Sequence, residues 1–155
     1  MAQKRALSSA LVYLNPKAAL TWLAQAFDFE TTLLIEDAEG NLAHSQMVFG
    51  DSVVMIGNPW TAEHKSPISI GGQMTQTVHI HLADGEGTVD DHCERARQAG
   101  AVILAEPETQ FYGDRTYRCK DPEGHIWTVS QTVEVMGPEE WDTKDMGLRT
   151  TVYKA

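Results

Sequence analysis

The sequence predicts an α+β fold in which two paired βαβββ modules form a cupped mixed sheet around a cavity. Three observations predict it. The segment order β-α-β-β-β occurs twice along the chain, and a stretch rich in Gly and Pro separates the two occurrences. The helical stripe Leu20, Leu23, Ala24 and Phe27 returns about 70 residues later as Val89, His92, Cys93 and Ala96. A repeat of that size means two similar units, each leaving one sheet face for the other to cover.

The first unit opens on the apolar run Leu11-Val12-Tyr13-Leu14, a buried strand stopped by Asn15-Pro16. Asn15 is placed to cap a helix, and Pro16 suits the first helical position, where an N–H is not needed. Strand-like runs follow from Thr31 to Glu36, Leu42 to Phe49 and Ser52 to Ile56, punctuated by the turn formers Asp37-Ala38-Glu39-Gly40-Asn41 and Gly50-Asp51. In the second unit Thr75 to Leu82 alternates polar and apolar residues. Thr88 with Asp91 resembles a capping box, and Gly100 closes the helix. Val102 to Ala105, a looser stretch to Gln110, Arg115 to Cys119, the turn Asp121-Pro122-Glu123-Gly124 and His125 to Val133 complete it. The expected organisation is a first module at 1–57, a linker loop at 58–74, a second module at 75–133, and a tail at 134–155. The tail should hold a short helix near Gly137-Pro138, with Trp141 packed on the body or on a second subunit.

With 155 residues and 42% of them hydrophobic, the chain is long enough to bury a core without disulfides or structural metal. Twelve Lys and Arg against 22 Asp and Glu give a formal charge of −10, which repels nucleic-acid phosphates and anionic lipid. Neither is an expected partner. Cys93 and Cys119 form no CxxC, so a reducing cytoplasm is expected, and no run approaches the ~20 apolar residues of a bilayer span.

Phe111-Tyr112-Gly113-Asp114-Arg115, followed by Asp121-Pro122-Glu123-Gly124-His125-Ile126-Trp127, resembles the PhnB-like branch of the vicinal oxygen chelate superfamily. That superfamily includes glyoxalases, extradiol dioxygenases and bleomycin-resistance proteins. Asn15-Pro16-Lys17-Ala18-Ala19 is similar to the start of that branch's first helix, and the resemblance spans about Ser8 to Val133. It implies paired βαβββ modules and homodimers. In metal-dependent members it also implies four ligands, a His or Glu on the first strand of each module and a Glu on the last. Here the last-strand position of the second module is Thr128, and Val53-Val54-Met55-Ile56 offers no carboxylate in the first. The first-strand position falls at or near Ser8, with no His, Asp or Glu up to Leu14, and its counterpart falls at Thr77 or His79.

At most two ligands thus stand at the superfamily's positions, whereas a catalytic metal site usually has about three plus an open position. A metal-free cavity holding a small molecule is therefore favoured, with no cofactor predicted and no catalytic residue assigned. Its expected lining is Thr77, His79, Thr128, Trp60, Tyr112 and Arg115. His79 offers a donor and an acceptor, Trp60 a stacking surface, and Arg115 an anion contact if its strand face lines the cavity. Asp114 is expected to pair with Arg115. The alternative is a divalent metal on His79 and His81, with His44 or Glu36 from the first module, acting as a Lewis acid in a lyase, isomerase or dioxygenase. A third possibility is a non-catalytic interaction subunit with Trp60 and Trp141 in interfaces.

Overall fold

In the computed structural model, which describes residues 7–141 and 146–153, each module builds its own four-stranded sheet with one helix laid across it. The first module consists of β1 (Ser9–Val12), α1 (Pro16–Phe27), β2 (Glu30–Glu36), β3 (Leu42–Phe49) and β4 (Ser52–Gly57). Its strands lie in the order β1-β4-β3-β2, β1 parallel to β4 and the rest antiparallel. The second module repeats this with β5 (Val78–His81), α2 (Val89–Gln98), β6 (Val102–Thr109), β7 (Asp114–Lys120) and β8 (Ile126–Thr132), in the order β5-β8-β7-β6.

Local chemistry sets the element ends. The Asn15 side chain accepts a hydrogen bond from the Ala18 N–H at 3.2 Å and Thr88 accepts from Asp91 at 3.1 Å, so both helices start at side-chain caps. β1 ends at Val12 rather than running to Leu14, because Leu14 and Asn15 turn their N–H groups toward another partner described below. β5 begins only at Val78, and β6 continues to Thr109, through the stretch where the sequence predicts looser structure. Its pairing with β7 shifts register around Pro107, which has no N–H to donate. Pro67–Ile70 forms a short 3₁₀ helix inside the linker. Gly113, at φ 92°, must be glycine, since a Cβ there would collide with the carbonyl oxygen of Glu134. The described part of the tail holds a hydrogen-bonded turn from Gly137 to Glu140. Trp141 packs on the rings of Phe111 and Tyr112, each 6.2 Å away.

Period-two alternation turns Val54, Ile56, Tyr117, Cys119, Trp127 and Val129 toward the helices, where all are buried. The two helices pack on each other, and the core is continuous across both modules. Phe27 is its hinge: Trp22 and Trp127 meet it edge-on at 5.1 Å and the His92 imidazole stacks on it at 5.2 Å. Burial, with the Arg95 charge adding to it, pushes the His92 pKa down to about 4, so the ring packs as a neutral group beside the Tyr117 hydroxyl at 2.7 Å. Both cysteines are buried, and burial raises the Cys119 thiol to about 12.

The modules are also joined by a polar clasp. The sequence marks Asp121-Pro122-Glu123-Gly124 as a local turn, and in the structure its two carboxyl groups also reach the end of β1. Tyr13 donates its hydroxyl to Asp121 at 2.6 Å, and Leu14 N–H and Asn15 N–H donate to the two oxygens of Glu123 at 2.7 and 2.9 Å. Ser66 of the linker donates to Glu123 at 2.6 Å, Trp127 Nε1 donates to Asp121 at 3.1 Å, and His125 Nε2 donates to the Val12 carbonyl at 2.8 Å. Tyr13 is buried, so removing its hydroxyl leaves Asp121 short of a donor in a place water does not reach. Tyr13→Phe is expected to lower the unfolding free energy by about 1–3 kcal/mol. Urea titration should detect this as an earlier midpoint at unchanged slope.

Candidate functional site

Each sheet buries one face under the helices and leaves the other open. Pairing register shows how the two modules correspond. Tyr13 N–H donates to the Gly57 carbonyl at 2.9 Å, and Leu82 N–H donates to the Ser130 carbonyl at 2.8 Å, so Tyr13 matches Leu82 and Gly57 matches Ser130. Counting back along the parallel ladders, Ala10 opposite Met55 in the first module matches His79 opposite Thr128 in the second. The resemblance puts the first-strand ligand at or near Ser8 and its counterpart at Thr77 or His79; with His79 taken, the register gives Ala10, Met55, His79 and Thr128, which hold a methyl group, a thioether, an imidazole and a hydroxyl. That donor set does not fit a divalent cation, which needs about three good ligands. Among the described residues no group of three or more His, Cys, Asp and Glu side chains could hold a metal ion.

A cleft of about 690 Å³ opens where β1 and β4 meet β5. It lies at the start of β1, the end away from the clasp. Phe29, Phe49, Val54, Val78 and Ile80 supply apolar walls, while His79, His81, Asp51 and Glu86, with Ser8, Ser9 and Ser52, supply the polar groups. The first module's turn at this place is only Gly50-Asp51, and Leu82 stands where the clasp has Tyr13, so its side chain has no hydroxyl to tie β5 down.

The polar groups are organised around Ser130, which is fully buried although it lies on the open face. Its hydroxyl is 2.7 Å from His79 Nε2 and 3.0 Å from His81 Nδ1. One hydroxyl has one proton, so it donates to one ring while accepting from the other. Asp114 stands 4.0 Å beyond His81 and accepts from Thr132 at 2.8 Å. Burial is the main cause holding the His79 pKa below the ordinary histidine value, followed by repulsion from His81. Asp114 pulls it up and Arg118 pushes it down. His79 is thus a neutral, cleft-lining imidazole at pH 7, able to give or take a proton. Beside it on β8, Thr128 accepts from Arg118 Nε at 3.2 Å.

Of the residues singled out from sequence, the structure brings together His79, His81 and Thr128, but only the two histidines line the cleft; Thr128 stands beside His79 on β8, outside the lining. Thr77 precedes β5 and is exposed, outside the cleft. Trp60 is exposed on the linker, its ring 4.8 Å from that of His64. Tyr112 belongs to the aromatic cluster at the tail. Arg115 shares its strand face with Tyr117 and Cys119, as expected, but that face is the helix side. There Arg115 grips Asp90 of α2 with two hydrogen bonds, at 2.6 and 2.8 Å. The expected Asp114–Arg115 pair is therefore absent; each has another partner, since consecutive strand residues point to opposite faces. His44 and Glu36 do not line the cleft, and Glu36 pairs with Lys17. The sequence marks Arg118 only as a cation near Tyr112 and Tyr117, and assigns neither it nor Ser130 to the site. Counting by twos from Thr128 and from Tyr112 past Thr116 finds both on the open face.

Residues 8–129 match the family model of the Glyoxalase/Bleomycin resistance protein/Dioxygenase superfamily. An uncharacterised protein of Mycobacterium tuberculosis is 32% identical over 139 residues, covering 87% of this chain and 79% of its own. An uncharacterised protein of Mycobacterium bovis has the same identity, over 87% and 88%. Among solved structures, TioX from Micromonospora sp. ML1 superposes with a TM-score of 0.65 at 28% identity, over 83% of this chain and 99% of its own. TnmS3, an antibiotic binding protein from Streptomyces sp. CB03234, superposes with a TM-score of 0.63 at 16% identity, over 85% and 98%.

The electrostatics of the histidine pair can be measured directly. In an NMR titration, His79 should titrate below the ordinary histidine value. His81→Gln should move it upward by removing a like charge, and Asp114→Asn should move it further down. An unshifted His79 in all three proteins would contradict the environment described.

Proposed function

The chain belongs to the Glyoxalase/Bleomycin resistance protein/Dioxygenase superfamily, and from that premise we propose that it is a small-molecule-binding protein acting by sequestration, with no resident metal. The observation that carries this is the cleft between β1, β4 and β5. At about 690 Å³, walled by aromatic and aliphatic side chains with a few fixed polar groups, it has the size and character of an organic ligand site. The donor set at Ala10, Met55, His79 and Thr128 supports binding without Lewis-acid chemistry. The antibiotic-binding neighbour TnmS3 supports the same class of ligand on this fold. His79 and Thr128 would orient the ligand, and Phe29 and Phe49 would take its planar part. The two buried thiols suit a reducing compartment, and a cytoplasmic location is part of the same proposal.

Thermal shift with planar antibiotics, 2-oxo compounds and thiol conjugates tests it. A ligand at a hundredfold its Kd stabilises by about 2.7 kcal/mol, roughly 5–10 °C in Tm for a chain of this length. His79→Ala should shrink that shift. Nickel, zinc or manganese should leave Tm unchanged, and near-stoichiometric metal in protein purified without a histidine tag would overturn the metal-free assignment.

The same proposal includes a homodimer. Leu33 and Ile35 project from β2 onto the open face of the first sheet and remain exposed, as an unpaired apolar strip would before association. Light scattering should give twice the 17.2 kDa chain mass. Ile35→Glu should return it to one, and a monomeric parent chain would remove the dimer.

A further inference from the structure

The open face of the second sheet carries cations without carboxylate partners. Elsewhere in the two modules Lys17, Arg95, Arg97 and Arg115 each hold a carboxylate. Arg118 and Lys120, two residues apart on β7 and so on one face, have none among the described residues. In a chain with a net charge of −10, leaving two neighbouring cations uncommitted is unusual chemistry. Arg118 is held at one point only, by its Nε hydrogen bond to Thr128, which fixes the plane of the guanidinium and leaves its two terminal nitrogens directed elsewhere. The acids of this face lie further along it. Asp114 is four residues away on β7, bonded to Thr132 and facing His81, and Glu108 sits opposite Thr116.

Register connects this pair to the cleft. Arg118 lies directly opposite Thr128, and Thr128 lies directly opposite His79, so the three form one row across β7, β8 and β5. Adjacent strands are about 4.8 Å apart, so the guanidinium's strand is about 10 Å from that of the cleft-lining imidazole. We infer that Arg118, assisted by Lys120, is an oxyanion subsite, and that the ligand of the cleft carries a carboxylate or phosphate group on an apolar body that reaches His79. A planar guanidinium with two free nitrogens matches such an oxyanion by paired, charge-assisted hydrogen bonds. Neutral His79 then receives a donor or an acceptor from the ligand without adding charge. This assignment deepens the small-molecule proposal and rests on it.

Three probes with one naphthalene body test it: 2-naphthoate, its neutral near-isostere 2-naphthamide, and 2-naphthyl phosphate, titrated by calorimetry into the full chain. One or both anions should bind at least about tenfold more tightly than the amide. The tighter anion identifies a carboxylate or a phosphoryl ligand, and either result supports the subsite. Arg118→Gln should abolish the preference by weakening the anions about tenfold while changing the amide less than about twofold. Lys120→Gln should weaken them by a smaller factor, and Arg118→Lys should keep part of the preference. Arg118 is exposed, and matching melting curves would confirm that these variants fold. Equal binding of anions and amide, or a preference that survives Arg118→Gln, overturns the oxyanion assignment and leaves the cleft proposal standing. If no naphthalene binds while other compounds shift Tm, the oxyanion assignment alone falls; if nothing binds in either panel, both fall.

Discussion

The reach of two carboxyl groups across the module boundary governs the geometry of the whole molecule. Asp121 and Glu123 belong to the second module, yet the groups they satisfy include the Tyr13 hydroxyl and two backbone N–H donors at the junction of β1 and α1. Those N–H groups sit where a strand hands over to a helix and have no ladder or helical partner of their own, so an external acceptor is obligatory. Glu123 also holds Ser66 of the linker, and its backbone carbonyl accepts from Ile68 at 3.0 Å. One turn therefore fixes the first module's edge strand, the first helix's entry and the path of the connecting loop.

The pseudo-symmetry of the fold makes the opposite end informative. There Leu82 stands in place of Tyr13, and the two-residue turn Gly50-Asp51 in place of the longer turn Asp121-Pro122-Glu123-Gly124. One end of the module junction is locked by polar contacts, and the cleft opens at the other. The asymmetry places a cavity without any strained backbone, since the only described non-glycine residue at positive φ is Asp28, at the C-terminus of α1. Polar groups are also unevenly shared. The first sheet's open face carries Ala10, Met55, Leu33 and Ile35 with only His44 and Gln46 between them, whereas the second carries His79, His81, Thr128, Ser130 and Arg118. A ligand meeting both kinds of surface would be apolar over most of its body and polar at one edge.

Much of the fold was legible because each unit announces itself locally. Asn15-Pro16 and Thr88 cap their helices as their side chains require, and the repeated stripe of Leu20 and Val89 faces the shared core. The weak points were edges. β1 and β6 are edge or near-edge strands whose ends are decided by partners far along the chain, Glu123 in one case and β7 with its register shifts in the other. The site was legible in part for the same reason. His79 and Thr128 come together through a parallel ladder that the repeat implies, but which face of β7 meets α2 depends on Tyr117 and Cys119 being core. Tyr117 carries a hydroxyl, and a polar tip made that face ambiguous. Once it is assigned, Arg115 goes to Asp90 and Arg118 takes the open side.

The residue at position 128 sets the chemistry of the row that runs from Arg118 to His79. A glutamate there would lie opposite Arg118 in the ladder, close enough to pair with it, and beside His79 on the other flank. Such a carboxylate would raise the imidazole's proton affinity and neutralise the guanidinium, making a metal-ready but anion-indifferent surface. Threonine does neither. Its hydroxyl accepts a single hydrogen bond from Arg118 Nε, leaves the charge of the guanidinium uncompensated, and exerts no pull on a His79 already disfavoured as a cation by burial and by His81. A hydroxyl rather than a carboxylate at 128 thus leaves, among the described residues, an unpaired guanidinium in one row with a neutral imidazole, and that row is what the proposed metal-free site with its oxyanion contact rests on.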